Sequence, residues 1–187
     1  MTELAAAPTR RARVERPPGA LEPPHRRLRV APALAVSSCL YHTTVHAVVV
    51  ANAPWTWAQA HIACLAAADL IVAADGGANH LARIGLRPAI VVGALDSITP
   101  SVRRWVGEDR LLHRPDQDST DLHKTLAYCF QDRAAQAVTV LAATAGRLDH
   151  TLENLGLLAR WSRHGGLAFL TGDQRIVAVH DTLEAAT

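Results

Sequence analysis

Short apolar segments alternate with helix-like segments from about residue 45 to residue 180, and this alternation restricts the fold more than any other feature of the chain. The strand-like segments are 46–51, 70–74, 88–92, 111–113, 137–142, 167–171 and 176–180. Between them, spacing and composition predict helices over 54–68, 79–84, 100–108, 151–163 and the stretch that follows Asp118. This pattern predicts an α/β fold with a doubly wound, mostly parallel sheet and helices on both faces.

Aspartates and glycines follow directly after several of the predicted strands. The carboxyl ends of parallel strands meet at one edge of a sheet, and ligands bind in the crevice outside that edge. We therefore expect six aspartates to gather on one rim: Asp75, Asp96, Asp116, Asp118, Asp121 and Asp149. Carboxylate oxygens are hard ligands that suit Mg²⁺ carried in with the phosphates of a nucleotide.

The densest polar motif is Asp116-Gln-Asp-Ser-Thr-Asp-Leu-His-Lys124, which holds three carboxylates, two hydroxyls and the only lysine of the chain. One interpretation is an ordinary helix start, with Asp118 or Ser119 as the cap and an i,i+3 pair between Asp121 and Lys124. That interpretation is favoured for any single acid. Three acids exceed what capping needs, because neighbouring carboxylates repel unless a cation lies between them.

Two further motifs are compatible with phosphate binding. Gly76 and Gly77 precede a helix and leave backbone N–H groups free to approach an anion, although the same residues are typical of a simple turn. Arg147 follows the strand-like segment 137–142 and is equally well interpreted as a phosphate clamp or as a solvated loop arginine. The chain has no Walker A sequence. Spacing alone therefore predicts Mg²⁺-dependent handling of a phosphorylated ligand.

Composition excludes several other classes of protein. The chain has 187 residues and a net charge of +2, but residues 1–30 hold seven arginines against three glutamates, which leaves the rest mildly acidic and gives no indication of nucleic-acid binding. Three widely spaced cysteines without a C-x-x-C pair favour neither disulfides nor zinc and fit a cytoplasmic location. No apolar run is long enough to cross a membrane. Residues 1–35, rich in Arg, Pro and Ala, are predicted to be a disordered arm.

Four motifs occur in the order typical of one family. They are Asp75-Gly-Gly-Ala-Asn79, Leu95-Asp-Ser97, the 116–124 motif, and Gly146-Arg-Leu-Asp-His150 followed by Asn154. Together they resemble the blocks of the thiamine pyrophosphokinase family over roughly residues 45–180. The resemblance implies a catalytic α/β domain over 36–180 that transfers a pyrophosphoryl group from ATP to the hydroxyethyl oxygen of thiamine, giving thiamine diphosphate and AMP.

The resemblance also implies roles for individual residues. Mg²⁺ would be held by Asp96, Asp121 and Asp149, and the catalytic set would be Asp96, Asp118, Asp121 and Lys124. The nucleotide, its phosphates or a substrate bound by the neighbouring subunit would contact Asp75, Gly76, Gly77, Asn79, Ser97, Gln117, Ser119, Thr120, Lys124, Arg147 and Asp149. The implied partners are ATP and thiamine, with no nucleic acid or membrane, and a full-length member would form a homodimer.

The sequence departs from the family pattern in two ways. Ala94 stands where a metal-binding carboxylate is expected, and Ala145 replaces a usual glycine. Family members continue into a small β-sandwich, which we expect to be absent or truncated here, with residues 181–187 as its beginning. Two alternatives remain open: a non-catalytic nucleotide-binding or regulatory module, and a pyrophosphokinase for another small alcohol such as a hydroxymethylpterin.

Overall fold

Seven strands form one sheet in the computed structural model, which describes residues 45–172 and 174–178. The strands are β1 His46–Val50, β2 Leu70–Ala74, β3 Ile90–Gly93, β4 Leu111–His113, β5 Ala137–Leu141, β6 Gly166–Thr171 and β7 Gln174–Val177. Their order is β4-β3-β2-β1-β5-β6-β7. All neighbouring pairs are parallel except β6 and β7. The mostly parallel sheet is therefore confirmed, whereas the predicted arm at 1–35 and the segment 181–187 lie outside the described residues.

Helices cover both faces of the sheet. They are α1 Gln59–Ala66, α2 Gly77–Arg83, α3 Pro100–Val106, α4 Asp121–Ala127 and α5 Leu148–Trp161; a π-helical turn, Tyr128–Asp132, extends α4, and a 3₁₀ turn, Glu108–Arg110, precedes β4. Apolar side chains of α1, α2 and α3 share one core with one face of the sheet, and those of α4 and α5 share a second core with the other face. The doubly wound architecture is confirmed.

The central strand β1 shows why its sequence is uniformly apolar. Val48 and Val50 pack in the core beneath α1 to α3, while Ala47 and Val49 pack in the core beneath α4 and α5. All four residues are completely buried. A strand buried on both faces has no position for an outward polar residue, so the alternation of a half-exposed strand is absent.

The order of the strands creates a crevice. The chain builds β1 to β4 toward one edge of the sheet and then returns to place β5 and β6 on the other side of β1. The loops that leave β1 and β5 therefore run to opposite faces, which opens a gap at the carboxyl ends of these two strands. The acidic motifs of the sequence all lie near this edge.

The predicted helix over 54–68 is wrong in its first third. Helix α1 begins only at Gln59, and residues 51–58 form a non-helical segment that we call the strap. The strap continues the pairing of β1 with β5, because the N–H groups of Ala51 and Ala53 donate to Leu141 and Ala142. These tertiary hydrogen bonds outweigh the helical tendency that Pro54 and the following residues suggest.

Three other boundaries differ from the sequence-based expectations. Helix α5 begins at Leu148 rather than at residue 151, so that Asp149 and His150 lie in its first turn. The helix expected after Asp118 begins at Asp121 and changes to π geometry at Tyr128. The last strand spans Gln174–Val177 and runs antiparallel to β6, whereas the predicted run extended to residues 179 and 180, which are outside the described part of the chain.

Candidate active site

A cavity of about 620 Å³ lies at the carboxyl edge of the sheet, between the strap, the loop before α4 and the start of α5. Ten of the residues singled out from the sequence line it: Asp75, Asp96, Ser97, Gln117, Asp118, Ser119, Thr120, Asp121, Lys124 and Arg147. Four others, Gly76, Gly77, Asn79 and Asp149, are not among its lining residues. Most of the predicted set therefore converges on one space, although it comes from the loops after four strands and from helix α4.

Asp75 lies at the floor of the cavity, directly after β2. Its backbone has φ 41°, a left-handed conformation that Asp tolerates better than most residues, and its side chain is buried. Its two oxygens accept hydrogen bonds from the N–H groups of Ser97 at 3.1 Å and Ile98 at 3.0 Å. Burial raises the pKa of Asp75 to about 6; a hydrogen bond with Asp96 and the charge of Asp121 act in the same direction, while the two N–H groups oppose them.

Asp121 approaches Asp75 from the first turn of α4. Its Oδ1 accepts a hydrogen bond from the N–H of Ala94 at 2.9 Å. Between the two acids lies Gly93, with φ 152°, where an added Cβ would lie 2.8 Å from Asp121 Oδ1 and 3.0 Å from Asp75 Cβ. A side chain at position 93 would therefore separate the two carboxylates, and glycine allows them to face the same space.

The aspartates that line the cavity, Asp75, Asp96, Asp118 and Asp121, form what we call the acidic wall, and Lys124 supplies its buried positive charge. Its side chain is only 5% exposed. The Nζ donates to the carbonyl oxygen of Asp116 at 2.6 Å and lies 3.4 Å from Asp121 Oδ1 and 3.9 Å from Asp116 Oδ2. The i,i+3 pair expected from the sequence is present. The cap of α4 is Thr120, whose hydroxyl accepts from the N–H of His123 at 3.4 Å, so neither Asp118 nor Ser119 caps the helix.

Arg147 and Asp149 form an exposed ion pair at the start of α5. The Nε of Arg147 donates to Asp149 Oδ1 at 3.1 Å, and a second bond joins Nη2 to Oδ2. The hydrogen bond from Arg147 is the main reason that the pKa of Asp149 falls to about 2. Both oxygens of Asp149 are thus held by Arg147, outside the cavity lining. Of the predicted metal set, the structure brings Asp96 and Asp121 into one cavity but not Asp149.

Asn79 and Gly77 support the site from behind its wall. The side-chain N–H of Asn79 donates to the carbonyl of Ser97 at 2.9 Å, and its oxygen accepts from the N–H of Thr99 at 3.1 Å, which fixes the loop after β3. A Cβ at Gly77 would overlap the carbonyl oxygen of Val50 and lie 2.8 Å from its carbonyl carbon. In this structure Asn79 forms hydrogen bonds to neighbouring backbone, and Gly77 leaves room for the backbone of Val50. The expected contact of both residues with a nucleotide stays a prediction.

Several lining residues were not anticipated as site residues. The strap contributes Asn52, Ala53 and Pro54, and α5 contributes His150 and Glu153. The strap residues were not anticipated because the sequence predicted a helix over 54–68. The i,i+3 spacing of His150 and Glu153 would have placed both on one helical face had α5 been expected to begin at Leu148.

Comparison with known proteins identifies the family to which this site belongs. A family model described as "Thiamin pyrophosphokinase, catalytic domain" matches residues 62–170, which is more than half of the chain. The chain belongs to the thiamine pyrophosphokinase family. The matched residues span the cavity from β2 to β6, including all of its acidic wall.

Relatives and solved structures agree with this assignment. Thiamine pyrophosphokinase 1 of Oryza sativa subsp. japonica is 30% identical over 149 residues, which cover 64% of this chain and 53% of the relative. A solved protein from Lactobacillus plantarum is 26% identical with a TM-score of 0.57, covering 68% of this chain and 62% of the other. Yeast thiamin pyrophosphokinase has a TM-score of 0.57 at 16% identity, covering 70% and 60%, and so supports the fold alone. The chain spans about half the length of the curated relatives it matches.

The two departures from the family pattern differ in consequence. Ala94 lines the cavity beside Asp121, so a carboxylate at this position would face the acidic wall, and a methyl group offers no metal ligand. Ala145 also lines the cavity, but its backbone is not left-handed, so the position does not require glycine. Only the first departure removes a polar group from the site.

The acidic wall suits Mg²⁺ that arrives with a nucleotide. Across residues 45–172 and 174–178, no three His, Cys, Asp or Glu side chains form a ready-made metal site. Mg²⁺ is commonly bound by one or two carboxylates together with substrate phosphates and waters. Asp96 and Asp121 both line the cavity and are carboxylates of the kind that such a site uses. In the part of the chain that the structure describes, no helix is both long and apolar enough to cross a membrane.

Proposed function

We propose that this α/β body carries out the family reaction, the Mg²⁺-dependent transfer of a pyrophosphoryl group from ATP to thiamine, which yields thiamine diphosphate and AMP. One observation carries the proposal. A single cavity joins the carboxylates of Asp75, Asp96, Asp118 and Asp121 with the buried ammonium of Lys124 and the guanidinium of Arg147. Carboxylates that can hold Mg²⁺, together with fixed cations, are what phosphoryl-group transfer requires, because positioning and charge neutralisation provide most of its catalysis.

The residues would divide the work as follows. Asp96 and Asp121 would hold Mg²⁺, which neutralises charge on the phosphates when it is bound. Asp149 would join them only if Arg147 turned toward a phosphate and released it. The hydroxyl oxygen of thiamine forms a bond to the β-phosphorus while the bond from that phosphorus to the oxygen of the α-phosphate breaks, releasing AMP. Asp118 lines the cavity and makes no hydrogen bond or ion pair within the described residues, so we assign it as acceptor of the hydroxyl proton.

Lys124 and Arg147 would act on the phosphates from opposite sides. Lys124 is held in place by Asp116 and Asp121, which fixes an ammonium at the acidic wall. Arg147 is 71% exposed, so it can exchange Asp149 for a phosphate with little loss of packing. We further propose a cytoplasmic protein whose full-length form is a homodimer. Its proposed domain boundaries are those expected from the sequence: an arm over 1–35, the catalytic domain over 36–180 and the start of a second domain at 181–187.

A second candidate is a nucleotide-binding module without turnover. Ala94 favours it, because the cavity wall lacks a carboxylate where the family pattern has one. The two functions share the cavity and differ only in whether product forms.

The test is a turnover assay with ATP, thiamine and Mg²⁺ in which AMP and thiamine diphosphate are both quantified. We expect equal amounts of the two products, loss of both with EDTA, and loss of both in Asp121→Asn. A panel that includes a hydroxymethylpterin checks the alcohol. Binding of Mg²⁺·ATP without either product would support the non-catalytic module. Absence of nucleotide binding with and without Mg²⁺ would contradict both functions.

A further inference from the structure

The strap forms a wall of the cavity that the proposed reaction leaves unused. Its residues Asn52, Ala53 and Pro54 line the cavity at the end of β1. The position of this wall is fixed on two sides, because the N–H of Ala53 donates to Ala142 at 2.9 Å and its carbonyl accepts from His80 Nε2 at 3.1 Å. The strap is thus a fixed part of the site.

Aromatic packing secures the strap beyond Pro54. The ring of Trp55 lies 4.1 Å from the Trp57 ring, 4.7 Å from the His61 ring and 5.8 Å from the His80 ring, measured between centroids. His61 belongs to α1 and His80 to α2, so the strap is fastened to two helices. Asn52 therefore projects from a backbone that is tied at both ends.

The side chain of Asn52 rests on Gly76. A Cβ at Gly76 would lie 2.5 Å from Asn52 Cγ and 2.6 Å from Asn52 Oδ1. No other residue type leaves room for Asn52 in this position. The first glycine of the Gly76-Gly77 pair, which does not itself line the cavity, thus leaves the room in which the carboxamide of Asn52 lies.

Asn52 differs from the other two carboxamides of the cavity wall. Gln117 donates to the carbonyl of Pro115 at 3.0 Å, and Asn154 donates to the carbonyl of Ala143 at 2.8 Å. Among residues 45–172 and 174–178, the structure gives Asn52 no hydrogen-bond partner, and the residue is exposed at the cavity. It follows β1, whereas Asp96, Asp121 and Lys124 come from the loop after β3 and from α4. A neutral amide whose donor and acceptor are both unpaired suits an uncharged polar part of a ligand.

We propose that Asn52 binds the edge of an aminopyrimidine, with Oδ1 accepting from the exocyclic amine and Nδ2 donating to the adjacent ring nitrogen. The inference rests on the proposed function, in which two molecules carry this edge: the adenine of ATP and the pyrimidine ring of thiamine. Both present the same donor beside the same acceptor. Asn52 is then a specificity-determining residue for one of the two substrates.

The test compares each ligand with an analogue that lacks only the amine. Calorimetry measures the affinity of the wild type and of Asn52→Leu for Mg²⁺·ATP, purine riboside triphosphate, thiamine and thiamine without its amino group. Leucine matches asparagine closely in shape and keeps the contact with Gly76. We expect Asn52→Leu to weaken about tenfold the binding of the ligand that Asn52 recognises and to weaken its amine-free analogue clearly less, because the analogue keeps only the bond to the ring nitrogen. Which ligand responds identifies the source of the aminopyrimidine.

Inorganic tripolyphosphate with Mg²⁺ is the internal control, because it carries the phosphate charges and has no aminopyrimidine. Its affinity should be the same in wild type and variant. Equal weakening of parent ligand and analogue, or no weakening of either, would overturn the role of Asn52 while leaving the proposed function intact. If the wild type binds neither ATP nor thiamine, the proposed function and this inference are overturned together. If Asn52→Leu does not fold, the wild type alone decides. Equal wild-type affinity for each parent ligand and its amine-free analogue would overturn the role of Asn52.

Discussion

Lys124 is the residue on which the charge balance of the cavity depends. It is the only lysine of the chain, it is almost fully buried, and it contacts two segments that carry acids. A compact ammonium fits between the carbonyl of Asp116 and the carboxylate of Asp121, where the larger planar guanidinium of arginine would need more space. The choice of lysine in a chain whose other basic residues are arginine, apart from histidine, has this steric explanation.

We expect Lys124→Met to lower both stability and turnover. The change leaves the Asp121 carboxylate beside Asp75 without its nearest cation, which should reduce the free energy of unfolding by about 1–3 kcal/mol and turnover by about a hundredfold or more. Denaturant titration and the product assay measure the two effects. Arg104→Met, which removes an exposed arginine from α3, is the matched control and should change stability by no more than about 0.5 kcal/mol. Similar behaviour of the two variants would refute the role of Lys124.

Ala94→Asp should increase the affinity for Mg²⁺·ATP. The new carboxylate would join Asp96 and Asp121 at the cavity wall, and we expect a gain of about tenfold from its attraction to the metal. The same change should slightly destabilise the protein without metal, because it adds negative charge beside Asp121. Calorimetry with Ala94→Asn as the neutral control separates charge from size. An unchanged affinity would mean that residue 94 does not face the metal.

Among the elements, α2 approaches the end of β1 so closely that only glycine fits at position 77. Gly77→Ala should reduce the free energy of unfolding by at least about 2–3 kcal/mol, because its Cβ would overlap the Val50 carbonyl, a backbone group that cannot move independently. Gly156→Ala is the control: it lies inside α5 with nothing within 4 Å of its added Cβ, and should stabilise the protein by about 0.5–1 kcal/mol. Thermal and denaturant unfolding compare the two, and equal effects would show that the overlap is relieved by a backbone shift.

The elements also show what the sequence could and could not predict. The buried strands and the acids that follow them were predictable, because parallel strands buried on both faces give continuous apolar runs and end at a common edge. The path of the strap was not predictable, because its non-helical conformation depends on hydrogen bonds to β5 and the residue after it, and on Trp55 packing against α1 and α2. Asp149 was expected in a loop among the acids, yet α5 begins at Leu148 and Arg147 holds it at the rim.

At the scale of the whole molecule, buried histidines make stability depend on pH. Burial lowers the pKa values of both His61 and His80 below the ordinary value of 6.5. The unfolded chain takes up these protons at a higher pH than the folded chain. Their contribution to stability is therefore complete above about pH 6.5 and is lost as the pH falls below it. Asp75, whose pKa is raised to about 6, acts in the opposite direction between about pH 4 and 6.

Comparing the wild type with His61→Phe isolates the contribution of His61 to the pH dependence of stability, since Asp75 is present in both proteins. We expect the variant to lose less stability than the wild type when the pH is lowered from 7.5 to 5.5, even if the loss of the hydrogen bond from Ala58 N–H to His61 Nδ1 makes it less stable at pH 7.5. Urea unfolding at several pH values gives, for each protein, the slope of the free energy of unfolding against pH. Parallel slopes would show that His61 does not titrate differently in the folded and unfolded states.

The antiparallel direction of β7 has a practical consequence. The parallel strands begin at the edge of the sheet away from the cavity, and β7 returns to that same edge, since Val177 pairs with Ala168 near the start of β6. Val45 and Ala178, the two ends of the described body, both lie on this far side. A surface tether or reporter attached at either residue would thus join the described body on the side away from the mouth of the crevice.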